Sequence, residues 1–293
     1  FQADFIWLKQ RTNPGTRDPL IVDTVRGGIG TGPSATNFNL LYPYGTFAES
    51  TSVGNSYVPS IQNNGFTLGN STYSNESGAP TVAWCLKAGG AAVTNDVGTI
   101  DSKVSVNSTL GFSIVKYTGN GDASADVGHG LGSIPELTIF KQLTSGGTSG
   151  GYWNTYYTAN NTVGFLNETN ALVSNTAGGN GTVDIANMDD TKFGFLAGSS
   201  SVNNQNYSGA PYIVYAFDSR PGFSKVGSYS GNGTSQNIST GFEVGFVMIK
   251  SATSSQSWMM YDSTRGGNKY LEANSAGAEG SSGSNLVNFY ANG

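Results

Sequence analysis

Gly209-Ala-Pro-Tyr-Ile-Val-Tyr-Ala-Phe-Asp-Ser-Arg-Pro-Gly-Phe-Ser-Lys-Val-Gly-Ser-Tyr-Ser-Gly-Asn-Gly233 closes one structural unit and opens the next. Its first half, Pro211 to Phe217, echoes Pro80-Thr-Val-Ala-Trp-Cys-Leu86. Its second half, from Phe223 to the turn at Gly231-Asn-Gly233, echoes Phe112-Ser-Ile-Val-Lys-Tyr-Thr-Gly-Asn-Gly121. A seam that recurs marks a chain of like units, and such periodicity governs every later reading.

A second pattern fixes the unit. Phe5-Ile-Trp-Leu-Lys9, Leu137-Thr-Ile-Phe-Lys141 and Phe246-Val-Met-Ile-Lys250 share one design. Each is too short for a helix and is apolar on both faces, as an inner strand of a covered sheet requires. The Lys is expected to emerge at the strand end. The spacing gives units of about 110 residues, the size of a β-sandwich. The fold expected is all-β, with tandem antiparallel β-sandwiches of concanavalin or jelly-roll type.

Unit 1 covers residues 1–88 and lacks its opening strands; residues 89–110 read as a flexible linker. Unit 2, residues 111–218, is complete. In it Phe193, Phe195 and Ala197 alternate with Gly194 and Leu196, which places them on a core face. Unit 3, residues 219–293, lacks closing strands, and a sheet edge left open in this way is an aggregation hazard. The expectation is that the chain continues or that a neighbouring molecule covers that edge. Residue 1 is not Met and sits inside a strand-like run, so the chain reads as a segment of something longer. Phe112 and Tyr117 are one position closer together than Phe223 and Tyr229, which predicts a bulge near Gly227.

Composition narrows the function. Charged residues make up 11% of the chain, against roughly 25% in ordinary soluble proteins. The 42 glycines speak for many turns, and 12% aromatic content supplies a core. Net charge is -5, and the basic residues are scattered. A nucleic-acid partner is not expected, because no basic cluster exists to displace counterions from phosphates. No apolar run approaches the ~18 residues of a membrane-spanning helix, so membrane insertion is not expected. Cys85 is the only cysteine. It rules out an internal disulfide framework and a Cys-based zinc site, and reads as a buried, inert thiol.

Candidates for chemistry each have a plainer explanation. His129 is the only histidine, flanked by glycines in Gly128-His-Gly-Leu-Gly132. With no partner in view for a catalytic role, it is expected as a structural turn residue. Asp23 with Arg26 and Asp262 with Arg265 recur as Asp-x-x-Arg-Gly-Gly, a spacing suited to a turn-stabilising ion pair. Unit 2 has Tyr157 and Asn160 there, so the pair is not expected to be catalytic. Glu136, Asp189 and Asp190 are the available carboxylates, but they lie scattered in loops and form no calcium-loop motif. Trp7, Trp84, Trp153, Trp258, Tyr156, Tyr157, Tyr212 and Tyr215 are spaced as core residues rather than as a sugar-stacking platform. Tyr42, Tyr44, Phe47 and Tyr57, in the long insertion of unit 1, are the better surface-contact candidates. No catalytic, cofactor-binding or metal residue is assigned, no cofactor is expected, and no residue is assigned to a ligand.

Four motifs together resemble a known group. Tyr117 to Gly121, Gly128 to Glu136, Trp84 to Gly90 and Gly222 to Gly233 are similar to repeats in virion proteins of marine bacteriophages, mostly tail-fibre or other particle-surface proteins with lectin-like or SPRY-like β-sandwiches. Leu86 stands where that group commonly has an aromatic, and the loop from Gly27 to Ser60 is longer. The resemblance implies a non-enzymatic structural protein of the virion surface that contacts the host. Its implied partners are copies of itself, other virion proteins and host surface glycans. The alternatives are a capsid-decorating or structural fibre without ligand, and a subunit of a bacterial extracellular adhesin filament.

Overall fold

The computed structural model describes all residues except 13–16, 28–38, 52–56, 145–150, 176–184, 196–202, 285 and 292–293. Much of the long insertion of unit 1, together with Leu196 and Ala197, lies outside the described residues. The fold is all-β with antiparallel strand pairing, and the described residues include two helices of four residues each, Thr72–Asn75 and Asn203–Asn206.

The three Lys-tipped segments are strands: Phe5–Gln10, Leu137–Gln142 and Phe246–Ile249. Each pairs with the strand that follows it, and the three registers are equivalent. Phe5 faces Asp23, Leu137 faces Tyr157, and Phe246 faces Asp262. Further out, Leu40 pairs with Ser50, Val163 with Val173 and Tyr270 with Gly280. On the other side of the Lys strand, Trp7 faces Trp84 and Ile139 faces Tyr215. The echo between Pro80–Leu86 and Pro211–Phe217 is therefore also an equivalence of position.

The central sheet has eight strands. Pro211–Phe217 lies inside it between Leu137–Gln142 and Phe112–Thr118. Residues 89–110 are not a free linker. Val93–Asn95 and Ser102–Asn107 extend this sheet, with Ser105 beside Ile114 and Val104 beside Val93. Ser102 and Val104 are buried while Lys103 is exposed; Ser105, on the face of Lys103, is buried by the hydrogen bonds of its hydroxyl with the Gly89 amide and the Gly90 carbonyl.

Layering explains why the Lys strands are apolar on both faces. In the first sheet, Ile6, Leu8, Leu20 and Val22 pack beneath Leu40, Val58 and Ile61. In the central sheet, Val115, Phe140, Tyr212 and Val214 pack against Val127, Phe193 and Phe195 of a small three-stranded sheet. Phe193 and Phe195 thus lie on a core face as their alternation predicts. The opposite faces of the first, central and third sheets meet in one common core. It holds Phe5, Trp7 and Ile21 from the first, Ile139, Ile213 and Tyr215 from the second, and Trp258 and Met260 from the third. Burying one such side chain contributes about 1.5–3 kcal/mol, so this shared core ties the three sheets together rather than leaving them as separate beads.

The expected bulge near Gly227 has no ladder to sit in. Residues 225–245 form no strand, and only an isolated bridge joins Arg220 and Ser224. No helix among the described residues is long and apolar enough to cross a membrane.

Candidate functional site

The most elaborate constellation of polar residues is the seam where the sheets meet. Three backbone hydrogen bonds close it into a ring. The amide of Glu49 donates to the carbonyl of Leu143 at 2.8 Å, that of Leu172 to Ala252 at 3.0 Å, and that of Glu279 to Arg11 at 2.8 Å. Each acceptor lies two residues beyond a strand lysine, Lys141, Lys250 or Lys9. Each donor precedes an outer strand, Ser50–Thr51, Val173–Ser174 or Gly280–Ser281; the first of these pairs with Asn39–Leu40, which joins the first sheet through the bridge between Ile21 and Leu41. The first sheet thus bonds to the second, the second to the third, and the third back to the first.

Side chains repeat the same cycle. The Tyr215 hydroxyl donates to Oδ2 of Asp23 at 2.7 Å, and the Trp84 indole donates to Oδ2 of Asp262 at 3.2 Å. Trp153 donates its indole N–H to the Tyr42 carbonyl at 3.0 Å, and Trp258 does so to Phe165 at 2.9 Å. Pro19 occupies the corresponding place in the first sheet and offers no donor.

Asp23 and Arg26 form the turn the sequence predicts. Asp23 Oδ1 accepts from the amides of Val25 and Arg26, at 3.0 and 2.9 Å, while Oδ2 accepts from Arg26 Nε at 2.5 Å. Arg26 reaches on to Glu49 Oε1 at 3.0 Å and to the Ile21 carbonyl at 3.2 Å. Asp262, Arg265 and Glu279 repeat this set, with Arg265 on Glu279 at 3.2 Å and on the Met260 carbonyl at 3.2 Å. Arg11 adds a second clamp on Glu279 at 2.7 Å, across the closing seam of the ring. In the central sheet the three positions carry Tyr157, Asn160 and Leu172, so the triad is replaced as a whole.

Electrostatics fit a structural role for the triads. Burial works against the charge on Arg26, but Asp23, Tyr215 and Glu49 outweigh it and hold the guanidinium above its ordinary range. Burial also opposes the charge on Glu279, yet hydrogen bonds from Arg11 and Arg265 lower its carboxyl below the usual value. Tyr215 is pushed well up by burial, so its proton stays available to Asp23.

The strand lysines do not emerge into solvent as expected. Lys9 and Lys141 are buried and Lys250 is half-buried, because the seam closes over each strand end. Their ammonium groups cap carbonyls there. Lys9 donates to Ser275, Lys250 to Thr169 at 3.1 Å and Ser251 at 2.9 Å, and Lys141 to Gly151. Burial lowers Lys9 to about 8 and Lys141 to about 7.

The remaining candidates lie apart from the seam. His129 is buried. Its Nδ1 accepts from the Leu131 amide at 3.2 Å, which leaves Nε2 to donate to the Asp189 carbonyl at 3.1 Å. Burial lowers its pKa, so this neutral tautomer, assigned from its partners, serves a turn. Glu136 accepts from the amide and hydroxyl of Ser219, and Asp189 caps the amides of Thr191 and Lys192, both at 2.8 Å. Asp190 is exposed. Among the described residues no group of three or more His, Cys, Asp or Glu side chains could hold a metal ion.

Trp7, Trp153, Trp258, Tyr156, Tyr212 and Tyr215 are buried, while Trp84 and Tyr157 are half-buried. Tyr42, Tyr44 and Phe47 form a small surface cluster, with Phe47 exposed and its ring 5.9 Å from Tyr42 and 5.5 Å from Tyr44. Tyr57 packs beside Tyr73 instead. Cys85 is half-buried rather than buried, since its strand lies at the edge of the first sheet, and burial raises its thiol pKa.

The seam escaped the sequence reading except for its Asp-x-x-Arg turns. The one further signal was the pair Glu49 and Glu279, each just ahead of an outer strand. No curated protein and no solved structure matches the chain. Over residues 1–293 it matches one family, and the chain accordingly belongs to the family described as a domain of unknown function (DUF7483).

Proposed function

We propose that this chain is a non-enzymatic structural module of a virion surface appendage, a tail fibre or similar element that contacts the host. The observation that carries this reading is the closed seam. Its charged groups are spent on the joint: Asp23, Asp262 and Glu279 of the two triads accept from Tyr215, Trp84 and Arg11 of a neighbouring sheet, and two of the strand lysines reach across as well. Such a body suits a particle exposed to proteases and shear, since local opening at any sheet disturbs the other two. The phage-like motifs at Tyr117–Gly121, Gly128–Glu136, Trp84–Gly90 and Gly222–Gly233 give the direction.

Host contact would fall to the loops, where Tyr42, Tyr44 and Phe47 form the compact aromatic surface. Multiple copies on one particle would turn weak glycan contacts into useful avidity. Antibodies against the chain, applied to purified phage particles under the electron microscope, test the reading. Label on the tail or fibres supports it. Label on the capsid shell favours a decoration protein, and label confined to filaments on uninfected bacteria favours an adhesin subunit; either result overturns it.

A further inference from the structure

The central sheet carries a charge contact that the seam does not use. Lys103 and Lys116 lie directly opposite one another on Ser102–Asn107 and Phe112–Thr118. Their cross-strand row runs Thr94, Lys103, Lys116, Ile213, Lys141. It lies on the sheet face that Ile114 and Ile213 turn towards the common core. Ile213 and Lys141 are buried, whereas Lys103 is exposed and Lys116 half-buried. Like charges directly opposite on neighbouring strands are destabilising. Nothing offsets them here. Among the described residues neither lysine forms an ion pair, and Lys103 Nζ donates to the Thr94 hydroxyl at 2.5 Å.

Lysines have a plainer use at a sheet edge, where they discourage the addition of a foreign strand. That use does not fit, because Val93–Asn95 is the edge strand and Lys116 lies two strands further in. Nor does the pair belong to the repeating frame. The residue ahead of Tyr117 is Lys116, but the residue ahead of its counterpart Tyr229 is Ser228. What the two lysines do share is a cavity of about 590 Å³, a volume in the range of small-molecule sites. Val25, from the Asp23–Arg26 turn of the first sheet, lines it together with Ala92 of the connecting segment. Thr94 and Thr118 add hydroxyls on the lysine face, and Asp101, two residues ahead of Lys103, lines it as well.

We propose that this cavity binds an acidic sugar, whose carboxylate or sulfate sits between the ammonium groups of Lys103 and Lys116. One anion placed there relieves the repulsion of both lysines at once, and each charge-assisted hydrogen bond is roughly twice as strong as a neutral one. The hydroxyls of Thr94 and Thr118 and the carboxylate of Asp101 bond the hydroxyls of the sugar, while Val25 and Ala92 meet its apolar face. Asp101 also limits the choice of ligand. A polyanion as dense as a nucleic acid would bring further phosphates against it, on a chain of net charge -5. In taking a sugar as the bearer of the anion, the inference rests on the host-contact reading above and narrows it to acidic surface polysaccharides.

The test titrates the full 293-residue chain in a calorimeter with oligogalacturonate, a sulfated galactan oligosaccharide and its neutral counterpart. Expected is saturable binding of an acidic oligosaccharide and none of the neutral one. Binding of galacturonate assigns a carboxylate to the site, and binding of the sulfated galactan a sulfate ester; either supports the proposal. Lys103→Gln and Lys116→Gln should each weaken binding about tenfold or more, as loss of a hydrogen bond to a charged group does. Both substitutions remove a like-charge contact, so folding is spared. Lys225→Gln, at an exposed lysine outside the cavity, should leave binding unchanged. The proposal is overturned if neither acidic sugar saturates, if the neutral one binds equally, or if binding survives both cavity substitutions. Tighter binding of a DNA oligonucleotide overturns it too. Immunolabelling decides where the chain sits on the particle and the titration decides what the cavity holds, so either reading can fail without the other.

Discussion

The hydroxyl of Tyr215 donates to Oδ2 of Asp23 at 2.7 Å across 192 positions of the chain, and both residues are buried. Tyr215 belongs to the central sheet and Asp23 to the first, so this bond is part of the joint between them. Tyr215→Phe keeps the ring packing and deletes the donor. It should cost about 1–3 kcal/mol, read as a shift of the chemical-denaturation midpoint.

Asp23→Asn is the harsher change. It leaves the Arg26 guanidinium, whose side chain is fully buried, without its main counter-charge. The expected loss is about 3–5 kcal/mol, measured in the same denaturation experiment. Exchanging the exposed Asp190 for Asn should shift the midpoint by no more than about 0.5 kcal/mol.

Gly151 sits where the first and central sheets touch. Its φ of 77° is left-handed, and a Cβ there would lie 2.4 Å from the Thr46 carbonyl oxygen. That carbonyl belongs to the backbone and cannot swing aside. Gly151→Ala should cost about 1–3 kcal/mol and detach the loop around Thr46, seen as faster exchange of the Glu49 amide.

Lys141 predicts a pH dependence. Its ordinary value of 10.5 in the unfolded chain falls to about 7 in the fold through burial. Between those limits the unfolded chain binds more protons than the native one, so stability rises as pH increases. The penalty is complete below pH 7 and is relieved progressively above it. Lys141→Met should remove this contribution, flattening the profile between pH 7 and 9 by at most about 1.4 kcal/mol per pH unit. Denaturation midpoints of both proteins across that range check it.

The legible parts of the fold were those written in neighbouring residues. Phe5–Gln10 and Leu137–Gln142 announce an inner strand through apolar residues on both faces, while Phe246–Ile249 reads the same way but lies at the edge of its sheet among the described residues; Asp262-x-x-Arg265 announces its turn. The seam was hidden because its partners, such as Glu49 and Leu143, are far apart in sequence and meet through backbone atoms that any residue carries. The same concealment misled the expectation for Lys9 and Lys141, since a lysine at a strand end emerges unless something unseen covers it. Residues 89–110 looked like a linker because Gly, Ala and Thr dominate its start. The short alternation from Ser102 to Asn107 was the strand signal, and its small side chains kept it quiet.

The central claim is that three sheets close on one another in a single ring, and native-state hydrogen exchange of the Glu49, Leu172 and Glu279 amides tests it most directly. The account predicts that all three are protected and exchange with one common opening free energy, lowered together by Asp23→Asn. Three unrelated opening energies, with only Glu49 responding to that substitution, would contradict it.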